Sequence, residues 1–359
     1  MTLEPDGDDP YASPVRPPLV GDQTPEGRIA GFAWDGAGND AISTHLDDRL
    51  LLEGDQDLAC PPDRRVPQTV DDTGGVMPPR DLPADQVPRA DTLDAGIPAH
   101  ADLLLDLPAA PWQPLARPLF AAVHATGHRI WLSGGSVRGL LTGEAARTVK
   151  DLDLSGTVPA GRFTDTARQT LRAYRMSEFR TTITPHTLVC AVVPPGQRTR
   201  LIEYRGLSQG GFRFPAVGSS LSEDARHRDF TFNALHYDTL GHRVFDGSGT
   251  GIRDLLGPAR RFDPLKRPTD PVARAEILIR AAKFFVRWTK TDCDLTPFLE
   301  WVATFDDGWH EALGTRTLSR LTDDYEQNVV GPPGRHQEYL DLLPPQGRKL
   351  IEKLREAAR

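Results

Sequence analysis

Over the first hundred residues the apolar positions come only in brief clusters, such as Ile29-Ala30-Gly31-Phe32-Ala33-Trp34, between prolines, glycines and aspartates. No helix or strand period is sustained there, so the stretch is expected to be mostly disordered, with a strand pair or short helix near residues 31–52. From about Ala101 the pattern changes. The apolar spacing of Trp112–Gly127 suits a helix, with Gly127 at its end. Arg129–Leu132 reads as a short buried strand entering Gly134-Gly135. Ser136–Leu141 begins a helix that Gly143 ends, Asp151–Leu154 is the next strand, and Gly161–Arg175 is helical again. Thr187–Val193 and Thr199–Tyr204 read as strands around a Pro-Pro-Gly turn, and Phe230–Tyr237 with Arg243–Phe245 as a hairpin around Leu240-Gly241. Beyond Pro268 the strand signals stop, and Val272–Trp288, Thr296–Thr304, Leu318–Asn328 and Gly347–Ala358 all favour helix. Strands with helices first, then helices alone, predict an α/β (α+β) head followed by an α-helical segment.

Charge sharpens this division. The formal net charge of the 359-residue chain is −8 at pH 7. Residues 1–100 hold 20 Asp and Glu against 7 Lys and Arg, with 14 prolines and 10 glycines, whereas the remainder holds 30 against 35. The acidity therefore belongs to the N-terminal segment: a solvated tail, or a docking or autoinhibitory element whose carboxylates imitate a polyanion and bind a protein partner. The rest is mildly basic, far short of a nucleic-acid-binding stripe. Cys60, Cys190 and Cys293 are scattered, which suggests neither a disulfide framework nor a zinc site. No run of about 18 apolar residues occurs, so the expectation is a soluble, cytoplasmic protein with no membrane partner.

The chemistry concentrates in Gly134-Gly135-Ser136-Val137-Arg138 and the downstream Asp151-Leu152-Asp153. On a strand, residues i and i+2 share a face, so Asp151 and Asp153 present two carboxylates to one small volume. Such a pair calls for a counter-charge, and a divalent cation is the usual one. A Gly-Gly turn ahead of a helix exposes N–H groups that suit a polyphosphate, and Arg138 could reach its oxygens bidentately. Other constellations are weaker. Ser133 and Ser136 lack a GxSxG elbow, and the histidines show no HExxH spacing. Trp301, Phe305 and Trp309 read as core rather than as a base-stacking platform.

At these residues the chain resembles the class II tRNA nucleotidyltransferases and bacterial poly(A) polymerases of the DNA polymerase β-like superfamily. Their GGxVRDxLLG segment and following DxD stand here as Gly134–Gly143 and Asp151–Asp153. Their DxxRRDFTxNALxYD stretch stands as Asp224–Asp238, their DPxxGxxDL segment as Phe245–Leu255, and their LRAxRF helix as Ile279–Phe284. The resemblance spans about residues 112–290. It implies a nucleotidyltransferase head with a mixed sheet over residues 101–262 and a helical neck-like domain over 263–359. It implies transfer of NMP from an NTP, ATP or CTP, to a hydroxyl, foremost an RNA 3′ end such as that of tRNA. Asp151 and Asp153 would hold Mg²⁺ (or Mn²⁺), two ions stabilising the attacking and leaving oxygens. Gly134, Gly135 and Arg138 would grip the β- and γ-phosphates, Ser136 would join them as a nucleotide-binding residue, and Asp224, Arg228, Asp229 and Asn233 would line the ribose and phosphate side of the nucleotide pocket. Glu203 is the candidate third catalytic carboxylate, with an ordinary strand-face glutamate as the alternative.

The departures bear on substrate. Gly139 replaces the aspartate after the arginine, and His227 stands at the first arginine of the RRD triplet. Where CCA-adding enzymes carry EDxxR to read the incoming base, this chain has Ala273, Arg274 and Ile277, unless Arg274, Glu276 or Asp270 substitutes from a shifted register. The chain also ends soon after this helix, which leaves little to grip a whole tRNA. The expectation therefore keeps two alternatives: an acceptor that is a protein or small molecule, and a non-catalytic nucleotide-binding scaffold.

Overall fold

A computed structural model of the chain describes residues 82–106, 110–144, 149–184, 188–197, 199–208, 217–218 and 220–357. The acidic segment before Leu82, including the elements expected near 31–52, lies outside the described residues. The described chain divides into two compact units, residues 82–221 with 235–246, and residues 222–234 with 247–357.

The first unit opens with helices α1 (Ala90–Leu93), α2 (Ile97–Asp106) and α3 (Gln113–Ala125). The described structure thus includes helices inside the stretch expected to be mostly disordered. Ile97, Ala101, Leu104 and Leu105 give α2 a buried stripe, and the Ala90 N–H donates to the His242 carbonyl. Strand β1 (Ile130–Leu132) follows, then α4 (Gly134–Leu141), β2 (Leu152–Gly156), α5 (Ala160–Ala173), β3 (Arg180–Ile183), β4 (Cys190–Val193), β5 (Ile202–Gly206), β6 (Leu235–Asp238) and β7 (Arg243–Asp246). Gly127 and Gly143, both with positive φ, follow α3 and α4. The strands form one sheet in the order β3-β4-β5-β2-β1-β6-β7. Only β2 and β5 run parallel, pairing Asp153 with Glu203, so the sheet is mixed. Helices α3 and α5 flank it, and Phe163 of α5 stacks on Tyr204 of β5 at 4.0 Å. Strand β3, not expected, supplies an edge through its alternating exposure.

The second unit contains α6 (Leu221–Ala225), α7 (Gly251–Leu256), β8 (Ala259–Arg261), α8 (Pro271–Arg287), β9 (Asp292–Asp294), α9 (Thr296–Val302), α10 (Thr315–Asn328), α11 (Pro333–Leu342) and α12 (Pro345–Ala357). Helix α8 starts where its sequence dictates: Pro271 occupies the first turn, and the Asp270 carboxylate caps it by accepting from Ala273 N–H at 2.8 Å. Its buried face enters an aromatic core of Phe230, Phe232, Phe262, Phe284, Trp288 and Phe298. Trp301, Phe305 and Trp309 are buried, as expected of core residues.

Two expectations are corrected here. Strand signals do not stop at Pro268, because β9 pairs in parallel with β8. Phe230–Tyr237 is not one strand: Thr231–Asn233 forms a 3-10 turn, and only Leu235–Asp238 pairs with β7. The Asn233 amide donates to the Asp229 carboxylate at 2.6 Å, and the Asn233 N–H to the Phe230 carbonyl at 3.0 Å, which closes the chain into a turn that a ladder could not accommodate. No helix among the described residues is long and apolar enough to cross a membrane.

Candidate functional site

The junction between β1, α4 and β2 brings the glycine pair and the carboxylates together. Gly134 takes φ 51°, a left-handed conformation natural to glycine, and a Cβ there would lie 2.6 Å from Asp153 Oδ2. The carboxylate thus occupies the space a side chain would fill. Gly135 N–H donates to the same Asp153 Oδ2 at 2.7 Å, and Ser133 N–H donates to the Asp153 carbonyl at 2.8 Å. An amide expected to face phosphate is therefore given to Asp153, whose charge sits at the positive end of α4. The Arg138 guanidinium folds back toward this turn, with Nη2 3.9 Å from the Cβ position of Gly135.

Ser136 faces the start of β2. It is fully enclosed, and its hydroxyl accepts from Asp153 N–H at 3.0 Å and donates to the Asp151 carbonyl at 3.3 Å. Asp151 itself precedes β2 by one residue, so the pair straddles the point where the strand enters the sheet.

Glu203 stands beside Asp153 in the parallel β2–β5 register. Its pKa is pushed up to about 8, chiefly by burial and further by the charges of Asp153 and Asp151, with the Arg200 charge opposing. Arg200 Nη1 meets Glu203 Oε1 at 3.0 Å in a largely enclosed ion pair. Glu203 thus feels the charges of both aspartates, and Arg200 is its counter-charge.

These oxygen donors suit a hard divalent cation. Among the described residues no group of three or more His, Cys, Asp or Glu side chains is gathered as a metal cage.

The remaining candidates lie in the second unit. Asp224 is buried and its carboxylate accepts from Arg228 Nε at 2.8 Å. Asp229 Oδ1 accepts from Phe230 N–H and from the Asn233 amide, at 2.8 and 2.6 Å. Its Oδ2 forms an ion pair with Arg280 Nε of α8 at 2.9 Å. The sequence did not single out Arg280 as a partner of this block, although it stands in the Ile279–Phe284 segment. On α8, Arg274 lies over the Phe305 ring at 4.6 Å and donates to the Pro268 carbonyl, Glu276 meets Arg320 at 3.5 Å, and Asp270 is the helix cap. Each group that could have served base reading from a shifted register has an intramolecular role.

Residues 130–257 match the Poly A polymerase head domain family. That stretch of the chain is similar to a Poly A polymerase head domain. It includes Gly134, Gly135, Arg138, Asp151, Asp153 and the Asp224–Asp238 block. No curated protein sequence matches the chain. Among solved structures, a CCA-adding enzyme in complex with ATP is 16% identical with a TM-score of 0.50, covering 71% of this chain and 54% of that one. The Bacillus stearothermophilus CCA-adding enzyme in complex with CTP is 21% identical (TM-score 0.47, 69% and 57% covered). The Thermotoga maritima CCA-adding enzyme complexed with tRNA is 17% identical (TM-score 0.48, 71% and 54% covered). At 16% identity the likeness to the ATP-bound enzyme is one of fold, and the matched part spans just over half of each of those chains. The mixed sheet of the head domain and the helices that follow it agree with that fold.

Proposed function

We propose that the protein is a metal-dependent nucleotidyltransferase that moves NMP from an NTP to a hydroxyl, foremost at an RNA 3′ end. The acceptor oxygen forms a bond to the α-phosphorus, the bond to pyrophosphate breaks, and the hydroxyl proton is lost. The observation that carries this reading is the anchoring of Asp153 on the Gly134-Gly135 turn, next to Asp151 and within reach of Arg138, inside a stretch similar to a Poly A polymerase head domain. Asp151 and Asp153 would hold Mg²⁺ or Mn²⁺, which when bound supplies charge stabilisation to the phosphates. Arg138 would take phosphate oxygens bidentately. Glu203, paired with Arg200, would tune the charge beside Asp153. Asp229, braced by Arg280, would hold Asn233 and the 3-10 turn in place for nucleotide contacts, with Asp224 fixing Arg228.

ATP or CTP is the proposed donor, ATP being the nucleotide held by a solved enzyme of this fold. A tRNA acceptor and a cytoplasmic location belong to the same reading. One observation favours a second acceptor class: Arg274 is engaged by Phe305 and Pro268, and its neighbours at the base-reading positions are Ala273 and Ile277. Selection of C or A by paired hydrogen bonds at these positions is therefore not supported, which leaves room for a protein or small-molecule acceptor. A non-catalytic scaffold fits less well, because both Asp151 and Asp153 are retained. Incubation with each labelled NTP, total RNA and lysate protein separates the cases: label on RNA supports the main reading, label on protein or metabolite the second, and no transfer opposes both.

A further inference from the structure

Asp153 is tied to the α4 turn through its N–H, its carbonyl and its carboxylate. Asp151 lies just outside the β2 ladder, and its carbonyl accepts from the Ser136 hydroxyl. That hydroxyl therefore bonds the backbone on both sides of Leu152, the residue that separates the two carboxylates. A hydroxyl can donate and accept at once, and its 0% exposure removes water as a competitor. An alanine would leave a donor and an acceptor of the carboxylate-bearing segment without this partner.

We infer that Ser136 is a positioning residue that sets the spacing of Asp151 and Asp153 for a divalent cation, rather than a phosphate ligand. This rests on the nucleotidyltransferase reading given above and deepens it. Outer partners that orient metal-holding carboxylates commonly govern affinity by about 10- to 100-fold when removed. The effect is expected in cation binding itself, before any nucleotide is present.

The test is Mn²⁺ binding to the full-length protein, without nucleotide, followed by electron paramagnetic resonance. Ser136→Ala should weaken Mn²⁺ binding by about tenfold or more. Ser136→Cys, which keeps a weaker donor and acceptor in similar volume, should fall between the two and serves if the alanine variant does not fold. Ser155→Ala is the control: this buried hydroxyl of the same strand donates to Ser133 Oγ at 3.3 Å, so Mn²⁺ affinity should stay at the parent value. Parent-like affinity in both Ser136 variants overturns the inference alone, as does an equal loss in Ser155→Ala. If the parent binds no Mn²⁺, or binds it equally after Asp151→Asn/Asp153→Asn, the functional reading fails and the inference with it.

Discussion

Gly134 stands where a side chain could not, because the position its Cβ would take lies 2.6 Å from Asp153 Oδ2. The glycine and the carboxylate are one device: the missing side chain lets the acid settle against the helix start and accept from Gly135 N–H. Gly134→Ala must hold an alanine at φ 51°, at a cost of about 1–2 kcal/mol, and must also displace Asp153. The expected outcome is a lower melting temperature together with a loss of pyrophosphate release of about 100-fold, the scale of a displaced reacting group. Parent-like turnover would show that Asp153 need not sit where the turn holds it.

His124 on α3 provides a pH signature of the first unit. Burial pushes its pKa down to about 4, with Asp238 opposing and Arg129 adding to the shift. The folded state thus binds this proton less readily than the unfolded chain, whose histidine titrates near about 6.5. Its contribution is present above about 6.5 and is lost as pH falls through about 4. Urea unfolding at about pH 7.5 and about pH 4.5 should show the parent losing more stability than His124→Leu over that interval. An equal loss in both would place the acid sensitivity elsewhere.

Arg280 should matter through Asp229. Removing the guanidinium leaves a largely enclosed carboxylate without its ion-pair partner, and Asp229 also receives the Phe230 N–H and the Asn233 amide. Arg280→Ala should lower stability by about 2 kcal/mol in urea unfolding, the scale of leaving an enclosed polar group without its partner. A change within error would mean that the 3-10 turn is held without the ion pair.

The legible parts of the molecule were those with local causes. Gly127 and Gly143 predicted two helix ends, and the strand expected over Asp151–Leu154 is present, although it starts at Leu152 and leaves Asp151 one residue before it. Asp292-Cys293-Asp294 escaped because it is short and polar, and becomes a strand only through its partner β8. Helix α11 escaped because Pro332-Pro333-Gly334 reads as a break, although proline suits a first helical turn. Strand β3, with Thr181 and Thr182 in an alternating exposure pattern, carried a usable signal. Ser136 was named as a nucleotide-binding residue from the glycine turn beside it; that α4 packs against β2 and turns its hydroxyl to the strand backbone is a tertiary contact that no local spacing encodes. The Asp229–Arg280 pair depends on the packing of α8 against the 3-10 turn, and no local spacing encodes it.

The central claim is that Asp151 and Asp153 make this head domain a nucleotidyltransferase. The most direct measurement is pyrophosphate release by the full-length protein with Mg²⁺ or Mn²⁺, an NTP and RNA, compared with Asp151→Asn/Asp153→Asn. The account predicts metal-dependent release by the parent and loss of at least about 1,000-fold in the double variant. Release that persists in that variant, or a folded parent that yields none with any NTP and acceptor, would contradict it.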